Sequence, residues 1–409
     1  LRADRSAVVF AGALALAVLV LTSGLRWTPY NNLSLLAAAF VHGHPWIESA
    51  SRPLGAPLWG ITNDALLWNG HRYVIEGVLP ALLLVPFALV FGEHTNQTFL
   101  AIGLGTLATC SALVLFRRLG TPLPDALLLT ATFFAGTSLL WCAMLGDVWF
   151  LEHVAAVCFT LFALLELTGR RRGWVVGLCA GCAFESRFTL ALAVPFYAVL
   201  LARGGLLPEA AKPDPALVRR SLGTFALALV PFAAGYLAWN EIRWGTLADI
   251  GYTEFFHGDS WGQPAGSPFR LEYLPYELYS FFLQPPQLVV DARHVAVWPY
   301  FKAGVDGIAL TFTTPMLVLA LRAQAPRRYL TLMWLLIAAV WLPSLCYYLD
   351  GWTQFGMRHA LDFEPFWFAL IALSARDGLP GWGRLLCAYS VAFGAWGVWY
   401  WNAFVRWGY

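Results

Sequence analysis

Residues 63–92 read NDALLWNGHRYVIEGVLPALLLVPFALVFG, a charged and aromatic half followed by an apolar half opened by Pro80. Asp64, His71, Arg72 and Glu76 therefore stand where the chain enters hydrocarbon. Ionisable side chains so close to lipid cost free energy unless they face a wet cavity or a partner, which makes the patch a candidate site. An interfacial anchor, with Trp, Tyr and Arg at headgroup level, is the competing reading of the same residues.

Outward from this stretch the composition is of one kind. The 409 residues are 59% hydrophobic and 12% charged, which excludes an ordinary soluble domain and gives an all-α, polytopic membrane bundle. A net charge of +2, with basic residues set between apolar runs, excludes a nucleic-acid surface. Runs of spanning length fall near 7–24, 98–116, 124–145, 148–168, 221–240, 305–321, 329–348, 360–374 and 383–402. Residues 78–92 are short for a full span, and 173–203 read as two half-length helices meeting at Glu185-Ser186-Arg187. Ten to twelve crossings result, about eleven being preferred. The first run lacks a small-residue cleavage site and reads as a retained helix.

Arginines set the orientation. Arg117-Arg118, Arg170-Arg171-Arg172, Arg203 with Arg219-Arg220, Arg322 with Arg327-Arg328, and Arg376 fall in short connections that alternation places on one, cytoplasmic, side. Counting from a cytoplasmic N-terminus puts Arg117-Arg118 on the wrong side, unless 78–92 fails to cross or a further crossing hides in 25–77. The whole chain reads as one membrane domain with two long external segments. The first, 25–77, carries YNNLSLLAAAFVHGH, whose helical spacing suggests an interfacial helix. The second, 243–304, interleaves aromatics with charges, as binding segments on a rigid scaffold do. Seven cysteines lie in or beside apolar runs. The C-x-x-C at Cys179 and Cys182 sits in a Gly/Ala-rich helix, where close packing explains it better than redox or zinc chemistry.

The order of local features resembles bacterial integral-membrane glycosyltransferases of the GT-C superfamily, of the protein O-mannosyltransferase and aminoarabinose transferase type. SLLAAAFVHG at 34–43 resembles the helix that opens the first external loop of such enzymes, and residues 64–92 resemble the entry to their second helix. GDVWFLEHVAAVCFTLFALLEL from Gly146, then the segment containing FESRF at 184–188, resemble the acidic helix end and the later arginine-bearing helix. WPYFKAGVDGIALTFTTPMLVLAL from Trp298 and FGMRHALDFEPFWFALIAL from Phe355 resemble the last blocks. One departure matters: many such enzymes place an aspartate just before the first-loop helix, where this chain has Pro29-Tyr30-Asn31-Asn32. A neutral amide cannot accept a proton from a hydroxyl.

The resemblance implies attack of an acceptor on a sugar carried by a polyprenyl phosphate, with inversion, at the outer face of the cytoplasmic membrane. That reaction needs a carboxylate base, cations for the departing lipid phosphate and a groove open to the bilayer. Asp64 is the first candidate base and Asp147 the second. A helix cap or a partner for Arg72 is the plain alternative for Asp64. Arg358 and Arg187 suit the phosphate, because a guanidinium fork matches its oxygens, with Lys302 and Arg72 behind them. Glu185 is the rival partner of Arg187, and snorkelling is the rival role of Arg358. Asn31, Asn32, Glu152, His153 and His359 are candidates for acceptor or sugar, or an interhelical clamp in the case of Glu152 and His153. No motif demands a metal, although Glu152 beside His153 leaves a divalent cation possible. The expected partners are membrane lipids, the lipid-linked sugar, and a glycan, lipid or protein acceptor. A non-catalytic membrane subunit of a larger complex, and a lipid or solute transporter, are the readings from other classes.

Overall fold

The computed structural model describes residues 2–47, 65–207, 209, 214–257, 267–351 and 353–405. Helix α1 (Arg2–Ser23) leads into the first long connection, which holds α2 (Asn32–Val41), strands β1 (Ala65–Trp68) and β2 (His71–Val74), and α3 (Leu79–Phe91). Then come α4 (Gln97–Arg118), α5 (Leu123–Ala135), α6 (Leu139–Leu145), α7 (Val148–Thr168) and α8 (Gly173–Ser186). A 3-10 segment (Phe188–Ala193) and α9 (Val194–Ala202) follow, and α10 (Pro215–Trp244) runs to the second long connection. That connection holds α11 (Gly251–His257), α12 (Leu274–Phe282), β3 (Gln287–Val290) and β4 (Ala296–Lys302). The chain closes with α13 (Leu310–Thr313) and a 3-10 helix (Pro315–Arg322), α14 (Arg327–Leu345), a 3-10 turn (Arg358–Asp362), α15 (Glu364–Ser374) and α16 (Gly381–Tyr400).

Among the described residues five helices are long and apolar enough to cross a bilayer, α1, α4, α7, α10 and α14; the bent pair α5–α6 makes six. Helix α16, 20 residues, has the length but not the apolarity, and the other segments of the bundle are shorter or broken, so eleven crossings are not carried by helices both long and apolar enough to span. Residues 173–202 do break near Arg187, into α8 and the 3-10 segment with α9.

One end of the bundle gathers the arginines. Arg117 Nε meets Asp4 Oδ1 at 3.1 Å, Arg118 donates to the Leu165 carbonyl, and Arg171 donates to the Gly204 carbonyl. Arg376 donates to the Leu119 carbonyl, Arg384 holds Asp125, and Arg203 lies over the Tyr329 ring. Because α1 starts and α4 ends at this same end, the segment between them, α3 included, stays at the other. The conflict over Arg117-Arg118 is thereby resolved: α3, 13 residues with Pro80 in its first turn and Pro86 inside, does not cross.

The loops add two short hairpins to the helical body. Residues 65–74 form an antiparallel hairpin with Trp68 opposite His71, turned at Asn69 and Gly70, both at positive φ, as a type I′ turn requires. A second hairpin pairs β3 with β4. Helix α2 is not interfacial: Asn32 through Ala39 are all buried, beneath α3 and with Phe40 against Trp239 of α10. A helix buried on every side cannot lie on a lipid surface.

Candidate functional site

At the end opposite the arginines, the start of the first long connection is fixed onto the turn between α6 and α7. Thr28 Oγ1 donates to Asp147 Oδ1, and the Val148 amide donates to the Tyr30 carbonyl at 3.0 Å. Gln97 Nε2, at the start of α4, spans the Tyr30 and Gly146 carbonyls at 3.0 and 2.7 Å. Gly146 takes a left-handed conformation, φ 65°, at the end of α6, so the chain reverses and Asp147 stands at the head of α7. Asp147, Asn31 and Asn32 are all buried in this junction.

One and two turns deeper lies a buried ionic cluster. Its centre is Asp362, whose Oδ1 meets His153 Nδ1 at 2.8 Å. Its Oδ2 accepts from Thr189 Oγ1 at 2.8 Å and from Arg187 Nε and Nη2 at 3.3 Å. Arg187 also reaches Glu152 Oε2 at 3.6 Å and His359 Nδ1 at 3.3 Å. Glu152 Oε1 accepts the Gly77 amide at 2.6 Å. Four segments therefore converge on the Arg187 guanidinium and its two acidic neighbours: residues 152 and 153 of α7, the break after α8, the 3-10 turn before α15, and Gly77, three residues past the first hairpin. Breaking α8 at Arg187 is what frees its side chain to turn inward.

The bonding fixes both imidazole tautomers. A carboxylate only accepts and a guanidinium only donates. His153 therefore carries its proton on Nδ1 and leaves Nε2 a bare acceptor, while His359 accepts at Nδ1 and leaves Nε2 a donor. Neither Nε2 has a partner among the described residues, and the rings lie 5.3 Å apart at 77°. Arg358 sits over the Phe150 ring at 5.4 Å, one turn after Asp147. Arg358, next to His359 of the cluster, thus stands against the α7 residue one turn after Asp147, which brings the cluster and the Asp147 junction side by side.

Beside it opens an apolar cleft of about 420 Å³, lined by Phe40, Val78, Leu79 and Leu82 on one side and Pro231, Phe232, Ala238, Trp239 and Ile242 of α10 on the other, with Glu185 also in its lining. Few residues of α10 are buried, so the cleft faces the lipid side. Val78 follows Gly77, the residue bonded to Glu152. The Gly77 backbone is pressed so close to α8 that an added Cβ would stand 2.4 Å from the Glu185 carbonyl oxygen.

No protein-family model matches the sequence, and no curated protein does. Among solved structures the chain is similar to ArnT from Cupriavidus metallidurans bound to undecaprenyl phosphate, with a TM-score of 0.52 and 14% identity over 93% of this chain and 62% of that one. It is also similar to the apo oligosaccharyltransferase of Archaeoglobus fulgidus, with a TM-score of 0.51 and 12% identity over 97% of this chain and 56% of that one. Both are GT-C glycosyltransferases. The chain has the GT-C fold. It is a multi-pass membrane protein that spans about three fifths of the length of these GT-C relatives in structure.

Within this GT-C body the candidates divide. Glu152, His153, Arg187 and His359 meet in the cluster, and Asp147, Arg358, Asn31 and Asn32 adjoin it. Lys302 does not: it ends β4, exposed, on the second hairpin. Arg72 is half-exposed on β2, its carbonyl paired to Ile47, and among the described residues no hydrogen bond or ion pair joins its side chain to the cluster. Asp64 lies outside the described residues. Glu185 is not the partner of Arg187, because its side chain faces the cleft while Arg187 turns the other way to Asp362. Among the described residues no group of three or more His, Cys, Asp and Glu side chains is placed to hold a metal ion. Asp362, Thr189 and Thr28 were not anticipated from sequence. Asp362 carried a signal, as a carboxylate entering an apolar helix four residues after Arg358.

Proposed function

We propose that this protein is a glycosyltransferase that takes a sugar from a polyprenyl-phosphate donor at the outer face of a bacterial cytoplasmic membrane. The observation that carries the proposal is the juxtaposition, on a GT-C fold, of Asp147, Arg358 and the Asp362 cluster with an apolar cleft that opens to lipid. In this reading the prenyl tail lies in the cleft between α3 and α10 and Arg358 faces the departing phosphate, where a guanidinium fork neutralises the charge that develops as the sugar leaves. Asp147 accepts the acceptor's proton as the new glycosidic bond forms on the opposite face of the anomeric carbon, which gives inversion. Asp64 is the alternative base. Thr28 orients Asp147, and the His153 and His359 Nε2 atoms, one acceptor and one donor, complement a sugar or acceptor hydroxyl. The undecaprenyl phosphate held by ArnT is the model for the donor's lipid.

The test is release of polyprenyl phosphate from a labelled polyprenyl-phosphate sugar by the purified full chain in nanodiscs. Asp147→Asn should lower the rate by at least a hundredfold while leaving the melting temperature within a few degrees. An unchanged rate moves the base to Asp64, tested by the same substitution there. The second reading, a non-catalytic membrane subunit, is favoured by the neutral Asn31-Asn32; no release with any donor, together with retained lipid binding, selects it.

A further inference from the structure

The second external connection carries a surface that the proposed chemistry does not use. Strands β3 and β4 form a lone two-stranded ribbon, and six of its large apolar side chains, Leu288, Val290, Val295, Trp298, Tyr300 and Phe301, are 44 to 63% exposed. A two-stranded hairpin in water is marginal even when one face is covered, and so many exposed apolar groups in residues 287–302 mark a surface that something covers. Three observations identify the cover. Trp298 packs edge-to-face on Trp399, ring centroids 5.3 Å apart, and 6.4 Å from Phe404, at the end of α16. Helix α16 has the length of a span and leaves Leu385, Tyr389 and Trp399 exposed along it. The hairpin thus prolongs a lipid-facing strip at the non-arginine end of the bundle, with the Trp and Tyr content of a membrane interface. Its cations stand at the two ends: Arg293 at the tip, 86% exposed and paired among the described residues with its near neighbour Asp291 at 3.2 Å, and Lys302 at the base.

We infer that the β3–β4 hairpin is a membrane anchor, seated at headgroup level in the outer leaflet, with Trp298 and its apolar neighbours at the acyl boundary and Arg293 and Lys302 on anionic lipid phosphates. This gives Lys302 a place that its distance from the cluster denied it. The anchor also has a mechanical connection to the site. Beyond β4 the Asp306 carbonyl accepts from Gln354 Nε2 at 3.0 Å, and Gln354 Oε1 accepts the Arg358 amide at 3.3 Å. The seating of the hairpin in the leaflet therefore sets the position of the turn that carries Arg358. The inference does not depend on the transferase reading, and neither does its test.

In the full chain, with the half-exposed Cys110, Cys179, Cys182 and Cys346 replaced by serine, a spin label is placed at Val290→Cys, Val295→Cys or, as a control at the arginine end, Arg219→Cys. The protein is reconstituted in nanodiscs of phosphatidylcholine with or without phosphatidylglycerol. Collision with oxygen relative to a water-soluble nickel chelate should be several-fold higher at 290 and 295 than at 219. Arg293→Glu combined with Lys302→Glu should lower that ratio in the anionic discs and leave it unchanged in the neutral ones. A nickel collision rate at 290 and 295 equal to that at 219 overturns the anchor. Exclusion of both reagents overturns it too, by placing protein, a second copy of this chain, on the face. Insensitivity of the double variant to lipid charge removes the headgroup contacts. A label position that prevents folding is replaced by the other of the two.

Discussion

Asp362 makes four polar contacts inside the membrane body, and the balance of the cluster depends on it. Arg187 has Glu152 at 3.6 Å as its other acidic neighbour, a longer and weaker contact. Removing one member of a buried ion pair typically costs about 3–5 kcal/mol, because the remaining charge is stranded in low dielectric. Asp362→Ala should therefore lower thermal stability by that order, read as the melting temperature in nanodiscs. Asp362→Asn keeps the shape but can turn an N–H toward His153 Nδ1, moving the ring proton to Nε2 and converting an acceptor into a donor. That variant should fold and lose transfer. Wild-type transfer rates in Asp362→Asn would make the cluster a structural clamp only.

At the scale of elements, two junctions decide where the cluster can form. The first is the approach of residue 77 to the end of α8, so close that no side chain fits. Gly77→Ala forces the backbones apart and loosens the Glu152 bond, and should cost about 1–3 kcal/mol; equal melting curves would show that the loop does not brace the cluster. The second is α12, where Glu277 is buried and neither carboxylate oxygen has a hydrogen-bond partner among the described residues. Burial, with Asp350 and Asp306 close by, pushes its pKa up to about 9. Asp350 is pushed up to about 7, by burial and by Asp306, against the pull of a Ser280 hydrogen bond and the Arg358 charge. A carboxyl with a raised folded-state pKa stabilises the fold at low pH and loses that contribution as pH rises from its unfolded value, near 4, through the folded value. Unfolding should thus become easier from pH 4 to about 7 through Asp350 and on to about 9 through Glu277. Glu277→Gln should flatten the upper part of that curve, and an unaltered slope would assign it elsewhere.

For the whole molecule the arginine end and the Asp147 end face opposite sides of the bilayer. In sealed, inside-in vesicles an impermeant thiol reagent should label Arg293→Cys from outside and Arg219→Cys only after lysis. Labelling of both from one side would break the orientation on which the outward site rests. The cleft adds a second expectation at this scale. A polyprenyl phosphate that fills it should raise the melting temperature by several degrees, and Trp239→Ala, which empties one wall, should reduce that gain without altering the lipid-free protein as strongly.

The sequence by itself determined the membrane class and named most of the residues that the cluster and the Asp147 junction bring together. Apolar runs and arginine spacing are one-dimensional signals, since a bilayer acts on chain segments one at a time. It also held an unread one: Asn69-Gly70 between Trp68 and His71 is a hairpin signature, masked by the helical run that follows. Residues such as Glu152, His153 and Arg187 declared themselves because charge in hydrocarbon needs a reason. The identity of each partner belonged to the tertiary structure. Asp362 is 175 residues from Arg187, and Glu185, two positions away, lost the pairing because the helix break turns the two side chains to opposite faces. Whether α3 crosses was likewise settled only when α1 and α4 were seen to share an end. Pairing depends on direction as well as on charge, and direction comes from how broken helices pack.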